Sequence, residues 1–385
     1  MFRSEWPTRC NTASSNRPVH RHQPMRSVQP LNEPRHIFGG DLRLNEGATL
    51  SDAAYLPFLQ QTLRYFDRPH TSPALSPISS PAAWKRRDLE HAPWRVRLGT
   101  DEIAEMRRAV SDWLARKLPL ADMTMSDFPL PTLAPSIAAW RREVSDGRGL
   151  QVVSGVPVGA WSVEESSIFF WGLGQHLGLP GAQNRRGDLL GHVRDTGADR
   201  TDRYVRQYMT TQNIPFHCDA ADMVGLLCLA KAKSGGLSRI ASSVSVYNEL
   251  LRRRPDLAPR LFEPFMLDTR DEAEANGMKV LPVPPCRHAA GVLRTFWHAE
   301  YFRTSQRHEG VRLTDAENEL FDLYDEISAT PEFFIDMNLE PGDIQLLSNH
   351  TVVHSRTDYE DYAEPERKRH LLRLWITVRR IRGTF

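Results

Sequence analysis

The sequence predicts a mainly β domain with added helices, an antiparallel sandwich or jelly roll, and three observations carry that expectation. From Tyr204 onward, short apolar runs of strand length are separated by Gly, Pro and polar turns. Helical periodicity is concentrated before residue 180, so helices and strands do not alternate as βαβ units. The one glycine cluster that imitates a dinucleotide loop, Gly172, Gly174 and Gly178, has Leu177 where the third glycine should stand and lies inside a helical pattern instead of after a strand.

With 40% hydrophobic and 25% charged residues, the 385-residue chain has the balance of a folded soluble protein with a sizeable core, which excludes wholesale disorder and fibrous repeats. Lys and Arg number 49 against 48 Asp and Glu, so no global charge draws the chain to nucleic acid or to an anionic membrane. Cys10, Cys218, Cys228 and Cys286 form no CxxC pair, which argues against a structural zinc site and a disulfide framework and fits a reducing, cytoplasmic setting. No run approaches the roughly 18 apolar residues of a membrane span, and the N-terminus lacks the apolar stretch of a secretory signal. The expected partner is a small-molecule substrate in a local site, and a homo-oligomer is compatible with this composition.

Residues 1–40 hold six Arg against two Glu among Ser, Asn and Pro, and residues 69–81 repeat Pro and Ser, each Pro removing a backbone donor. Residues 1–80 are therefore expected as a partly flexible N-terminal extension and 81–385 as the compact domain, with an organellar transit peptide the competing reading of the Arg-rich start. Thr100 opens a helix in which Ile103, Met106, Val110, Trp113 and Leu114 recur every three or four residues. A second helix begins near Pro135, carries Ile137, Trp140 and Val144, and stops at Asp146-Gly147 before an apolar strand at 150–153. A third runs from Ser162 to about Leu177. Strands are expected thereafter at 223–230, 238–243, 280–283, 292–296, 343–347 and 369–378. The polar, Arg-rich stretch 184–212 is expected as a lid offering Arg206, Tyr208 or His192 to substrate, whereas Phe296, Trp297, Tyr301 and Phe302 are expected in the core.

The chemistry begins at Phe216-His217-Cys218-Asp219. On an extended segment residues i and i+2 share a face, so His217 and Asp219 reach one ion while Cys218 points away. A second segment 135 residues later, Asn349-His350-Thr351-Val352-Val353-His354, follows a strand-like run and supplies a third ligand. Two histidines and one carboxylate on one side of a metal leave open positions, the arrangement of non-haem Fe(II) oxygenases. His350 and His354 compete for the third place. Their i, i+4 spacing also imitates a zinc-protease helix, but Thr351 replaces the Glu that such a motif needs, and Val352-Val353 disfavours the helix. His354 is the favoured ligand.

Strand parity over 367–376 puts Arg367, Arg369, Leu371, Arg373 and Trp375 on one face and the apolar Leu372, Leu374 and Ile376 on the other. The apolar face packs on helices, so the arginines point inward, where they require an anion such as a dicarboxylate.

These residues as a set resemble the Fe(II)/2-oxoglutarate dioxygenases of the taurine dioxygenase (TauD/TfdA) group, including clavaminate synthase-like members, over roughly residues 130–380. The resemblance is carried by HxD at His217 and Asp219, by Gly235-Gly236-x-Ser238, by His354 and by the RxxxR pair Arg369 and Arg373. It implies a double-stranded β-helix (jelly-roll) core at about 200–382 flanked by α-helices. It also implies Fe(II) held by His217, Asp219 and His354, and 2-oxoglutarate anchored through its far carboxylate by Arg369 and Ser238. Asn213 and Arg373 match positions that contact substrate. The stretch 358–366 lengthens the spacing from His354 to Arg369 and makes Arg367 an alternative anchor. The implied reaction uses O2 to oxidise, and most simply hydroxylate, an unactivated C–H bond of a small acidic or zwitterionic molecule, releasing succinate and CO2. Desaturation or cyclisation of a larger natural-product intermediate is the alternative outcome. A carboxylate at Asp219, where halogenases of this class carry a small residue, argues against chlorination. A catalytically inactive jelly-roll binding module is the rival of another class.

Overall fold

Side chains along Met223–Ala230 and His370–Thr377 alternate between two buried faces, and this alternation sets the layering of the molecule. The structure is a computed structural model that describes residues 54–197, 207–270 and 278–378. Residues 1–53, including Cys10 and the Arg-rich start, lie outside the described residues, as does Arg206. The larger sheet has the order Arg95–Arg97, Leu150–Ser154, Ile344–Ser348, Met223–Ala230, His370–Thr377 and Leu179–Gly181, with Gly191–Val193 also paired to His370–Thr377. A smaller sheet runs Phe334–Met337, Ser238–Ser242, Val352–Arg356, Ile214–His217.

The two sheets share an apolar interior. Leu150, Val224, Cys228, Leu347, Leu371 and Trp375 from the larger sheet meet Ile240, Ile335, Met337 and Val352 from the smaller. On its other face the larger sheet packs Met223, Leu227, Leu346, Leu372 and Leu374 against the helices Thr100–Arg116, Ala134–Ser145 and Val163–Leu177. The smaller sheet packs Ala241, Val353 and Phe334 against Ser243–Arg253 and Asp315–Ser328. Leu371 and Trp375 thus face inward and Leu372, Leu374 and Ile376 face the helices, as strand parity requires.

The three helices expected before residue 180 are present, the third capped by Ser162, whose side chain accepts from Glu165 N at 3.1 Å. The expectation of a mainly β jelly roll flanked by helices is met in part. Seven α-helices accompany the strands, and no closed barrel sheet forms among the described residues, so the fold is mixed α/β. Ser243–Arg253 is one helix that the strand-like Val244 and Val246 conceal, yet Ser242 caps it by accepting from Ser245 N at 3.0 Å. Between Asp67 and Lys85 the Pro-rich stretch holds no helix or strand. Ahead of it the helix Phe58–Phe66 buries Tyr65 and Phe66 against the smaller sheet's core. Gly172 sits in the helix Val163–Leu177, where a Cβ would meet the Phe128 ring at 2.3 Å; this glycine permits close packing, not phosphate binding. Among the described residues no helix is long and apolar enough to cross a membrane.

Candidate metal centre

Ile214–His217 pairs antiparallel with Val352–Arg356, and the register sets His217 directly opposite His354, so the two imidazoles project from one face. Their ring centroids are 4.3 Å apart. Asp219 follows the strand in a turn fixed by Asn349, whose Oδ1 accepts from Asp219 N at 3.1 Å while its Nδ2 donates to Ala221 O at 2.9 Å. One ligand atom from each of His217, Asp219 and His354 lies within 4.8 Å of the others.

The donors suit a divalent cation. His217 Nδ1 lies 2.9 Å from Pro215 O, so with the proton there Nε2 is left as a lone pair. Burial, with His217 alongside, pushes His354 down to about 3, which keeps its imidazole neutral. Burial alone would raise the Asp219 carboxyl, but the Arg373 guanidinium leads the groups that outweigh it and bring it below its ordinary value. Asp219 Oδ2 is buried without a hydrogen-bond partner and stands 3.7 Å from His354 Nε2, a cost that a bound cation offsets. Two imidazoles and a carboxylate on one side of the ion are the donor set of a non-haem iron site with open positions.

His350 is elsewhere. It lies 2.8 Å from Asp222 Oδ1 and stacks on Tyr65 at 4.9 Å. Cys218 points into the core, where burial pushes its thiol up to about 12. Phe296, Trp297 and Phe302 are buried core residues.

Across the interior, Arg369 is buried at the start of His370–Thr377, and its Nη1 has no hydrogen-bond partner. Burial lowers its pKa, the electrostatic mark of a cation in want of an anion. Gly236 makes room for it: a Cβ there would come within 3.1 Å of Arg369 Nε, and its φ of +66° suits glycine. Ser238 is buried, and its Oγ donates to Gln345 Oε1 at 3.0 Å. Arg367 is exposed and 3.6 Å from Glu364, which removes it from the interior.

Arg373 Nε donates to Gln183 Oε1 at 2.7 Å, and its Nη1 is 3.7 Å from Asp219 Oδ1. Tyr208 lies against this guanidinium at 4.7 Å, so one residue of the expected lid meets the site. His192 does not; its Nδ1 lies 2.8 Å from His370 Nε2. Asn213 is exposed just before Ile214–His217, on the parity of His217. The sequence reading missed Asn349, Gln183, Gln345 and His298, the last with its ring 5.5 Å from His217. Asn349 alone left a signal, as the residue that opens the His350–His354 segment.

Comparison with known proteins agrees with this geometry. The family described as "Taurine catabolism dioxygenase TauD, TfdA family" matches residues 115–375. FR-33289 synthase of Streptomyces rubellomurinus is 32% identical over 307 residues, covering 78% of this chain and 91% of that protein. The taurine hydroxylase-like protein SAT17 of Stachybotrys chartarum is 25% identical over 293 residues, covering 72% and 74%. Among solved structures, asparagine oxygenase with Fe(II), 3-hydroxyasparagine and succinate covers 74% of this chain and 93% of its own at 17% identity and TM-score 0.57. The non-heme iron oxygenase OrfP with Fe and alpha-ketoglutaric acid covers 74% and 94% at 15% identity and TM-score 0.54.

Proposed function

The chain belongs to the taurine catabolism dioxygenase TauD, TfdA family of Fe(II)- and 2-oxoglutarate-dependent oxygenases, and on that premise we propose which residues do the work and on what substrate. His217, Asp219 and His354 hold the iron. Arg369 holds the far carboxylate of 2-oxoglutarate, with Ser238 beside it, and the two facing sheets are the halves of a double-stranded β-helix. Bound together, Fe(II) and 2-oxoglutarate supply the oxidation of an unactivated C–H bond by O2, with succinate and CO2 released.

The chain's own residues set the rest. Asn349 fixes the turn that aims Asp219, and Pro215 O fixes the His217 tautomer. Arg373 steadies Asp219 through Nη1, while its Nη2 makes no hydrogen bond to the described residues and is offered to a substrate anion. A small acidic or zwitterionic substrate, hydroxylated at carbon, follows. Oxygenases of similar fold hold 3-hydroxyasparagine and 3-hydroxyarginine, both of which carry the zwitterionic head of an α-amino acid. The observation that carries the reading is the convergence of the three ligands, together with a buried Arg369 whose Nη1 has no hydrogen-bond partner.

Anaerobic protein with Fe(II) and 2-oxoglutarate is expected to show the weak visible charge-transfer band of the chelate, and O2 to yield succinate once substrate is added. Absence of the band would remove the iron assignment. An acid turned over far better than its neutral ester supports Arg373 as the substrate anchor; equal use of both overturns that anchor.

A further inference from the structure

A second buried guanidinium lies against the same aromatic ring as Arg369. Arg356, two residues after His354, is 5% exposed and Arg369 6% exposed, and both lie against Tyr359, at 4.7 and 5.2 Å from its ring centre. No carboxylate stands within ion-pair distance of either guanidinium among the described residues. Arg356 Nε and Nη1 are buried without hydrogen-bond partners. Its Nη2 is fully used: it donates to Thr210 O at 2.7 Å and to Gln212 O. Tyr359 grips the same segment from its backbone, donating from N to Thr211 O at 3.0 Å. Asn213 and Ile214–His217 come next in the chain.

We propose that Arg356 is a positioning residue that couples occupancy of the cosubstrate pocket to the order of residues 210–213, the entry to the metal-binding strand. It rests on the dioxygenase reading above and extends it. One end of Arg356 clamps the Thr210 and Gln212 carbonyls, and its Nε and Nη1 are left unpartnered on the guanidinium that lies with Arg369 against Tyr359. With the pocket empty the two cations, both held against the Tyr359 ring, repel, which weakens the clamp. A carboxylate seated on Arg369 supplies the missing negative charge to both guanidinium groups, and Arg356 then draws the segment tight. Cosubstrate bound first thereby shapes the loop that substrate meets second.

Hydrogen exchange on the anaerobic Fe(II) protein tests this directly. Adding 2-oxoglutarate to wild type is expected to slow the amides of residues 210–213 about tenfold or more, the scale of a charged hydrogen bond. In Arg356→Gln, held at 2-oxoglutarate high enough to give the full chelate band, that slowing is lost, and Arg356→Lys, which cannot span two carbonyls and the pocket, restores little of it. Wild-type exchange that does not respond to 2-oxoglutarate while the band forms overturns the coupling without any variant. An Arg356→Gln protein that keeps the full slowing assigns it to other residues. A wild type that forms no band at all fails the dioxygenase reading itself, a different result from either.

Discussion

At the scale of single residues the site separates side chains that converge as one set of metal donors from a histidine that only resembles them in sequence. His217, Asp219 and His354 converge, whereas His350, the same residue type four positions earlier, is committed to Asp222 and Tyr65. Replacing any one of the three by Ala is expected to abolish substrate-dependent succinate formation, because affinity and geometry are lost together. His350→Ala is expected to keep measurable turnover at reduced stability. The reverse pattern in the same assay would exchange the two histidines. For the cosubstrate, Arg369→Ala is expected to leave iron binding intact and weaken 2-oxoglutarate by about 2–5 kcal/mol, the scale for truncating one partner of a buried charge pair. Ser238→Ala costs about 1 kcal/mol, since its hydroxyl already has Gln345 as a partner. Arg367→Ala, at an exposed position, leaves affinity unchanged; titration of the anaerobic chelate band measures all three.

At the scale of elements, stability depends on how strand and helix ends are tied. The strand Phe265–Asp268 ends in Asp268, which accepts from Arg307 Nε at 2.7 Å and Nη2 at 3.0 Å and from Arg270 N at 2.9 Å. Burial alone would raise this carboxyl, but those donors together with His308 bring it from 3.8 down to about 2. A carboxylate depressed on folding stabilises the native state above its ordinary pKa and loses that contribution as pH falls toward its folded value, here between about pH 4 and pH 2. The contribution is about 2 kcal/mol at neutral pH. Asp268→Asn is therefore expected to be less stable than wild type at pH 7, with the gap narrowing as unfolding is measured down to pH 3. A gap independent of pH would show that Asp268 acts through shape alone. Ends of this kind were only partly legible. The cap Ser162 with Glu165 announces its helix in the sequence, and so does Thr314 with Glu317 ahead of Asp315–Ser328. Ser243–Arg253 was hidden because its β-branched first turn imitates the strand it continues.

For the whole molecule, what the sequence made legible followed from local period, and what it hid followed from neighbours in space. The HxD pair and the inward face of Arg369 and Arg373 are consequences of a two-residue repeat, readable without a partner strand. The roles of Asn349, Gln345 and Arg356 depend on register between strands more than a hundred residues apart, which no local pattern encodes. The helix Phe58–Phe66 goes unread in the sequence for a related reason: the Pro-rich stretch after it has the composition of a linker, yet its Ala74 and Ala82 pack on the same core as Tyr65 and Phe66. The same layout yields a prediction for the molecule as a unit. His217 and His354 stand on the smaller sheet and Arg369 at the edge of the larger one, so a cosubstrate bound to iron and to Arg369 bridges both sheets. Ligand at about a hundredfold over its Kd stabilises the native state by about 2.7 kcal/mol, which in a chain of this size raises Tm by roughly 3 °C. Under anaerobic conditions Fe(II) alone should give part of that rise and Fe(II) with 2-oxoglutarate the whole, whereas 2-oxoglutarate without metal, held by its far carboxylate only, should give little. In Arg369→Ala the metal increment should persist and the cosubstrate increment disappear. An undiminished cosubstrate increment in that variant would mean that the far carboxylate is held by a residue other than Arg369.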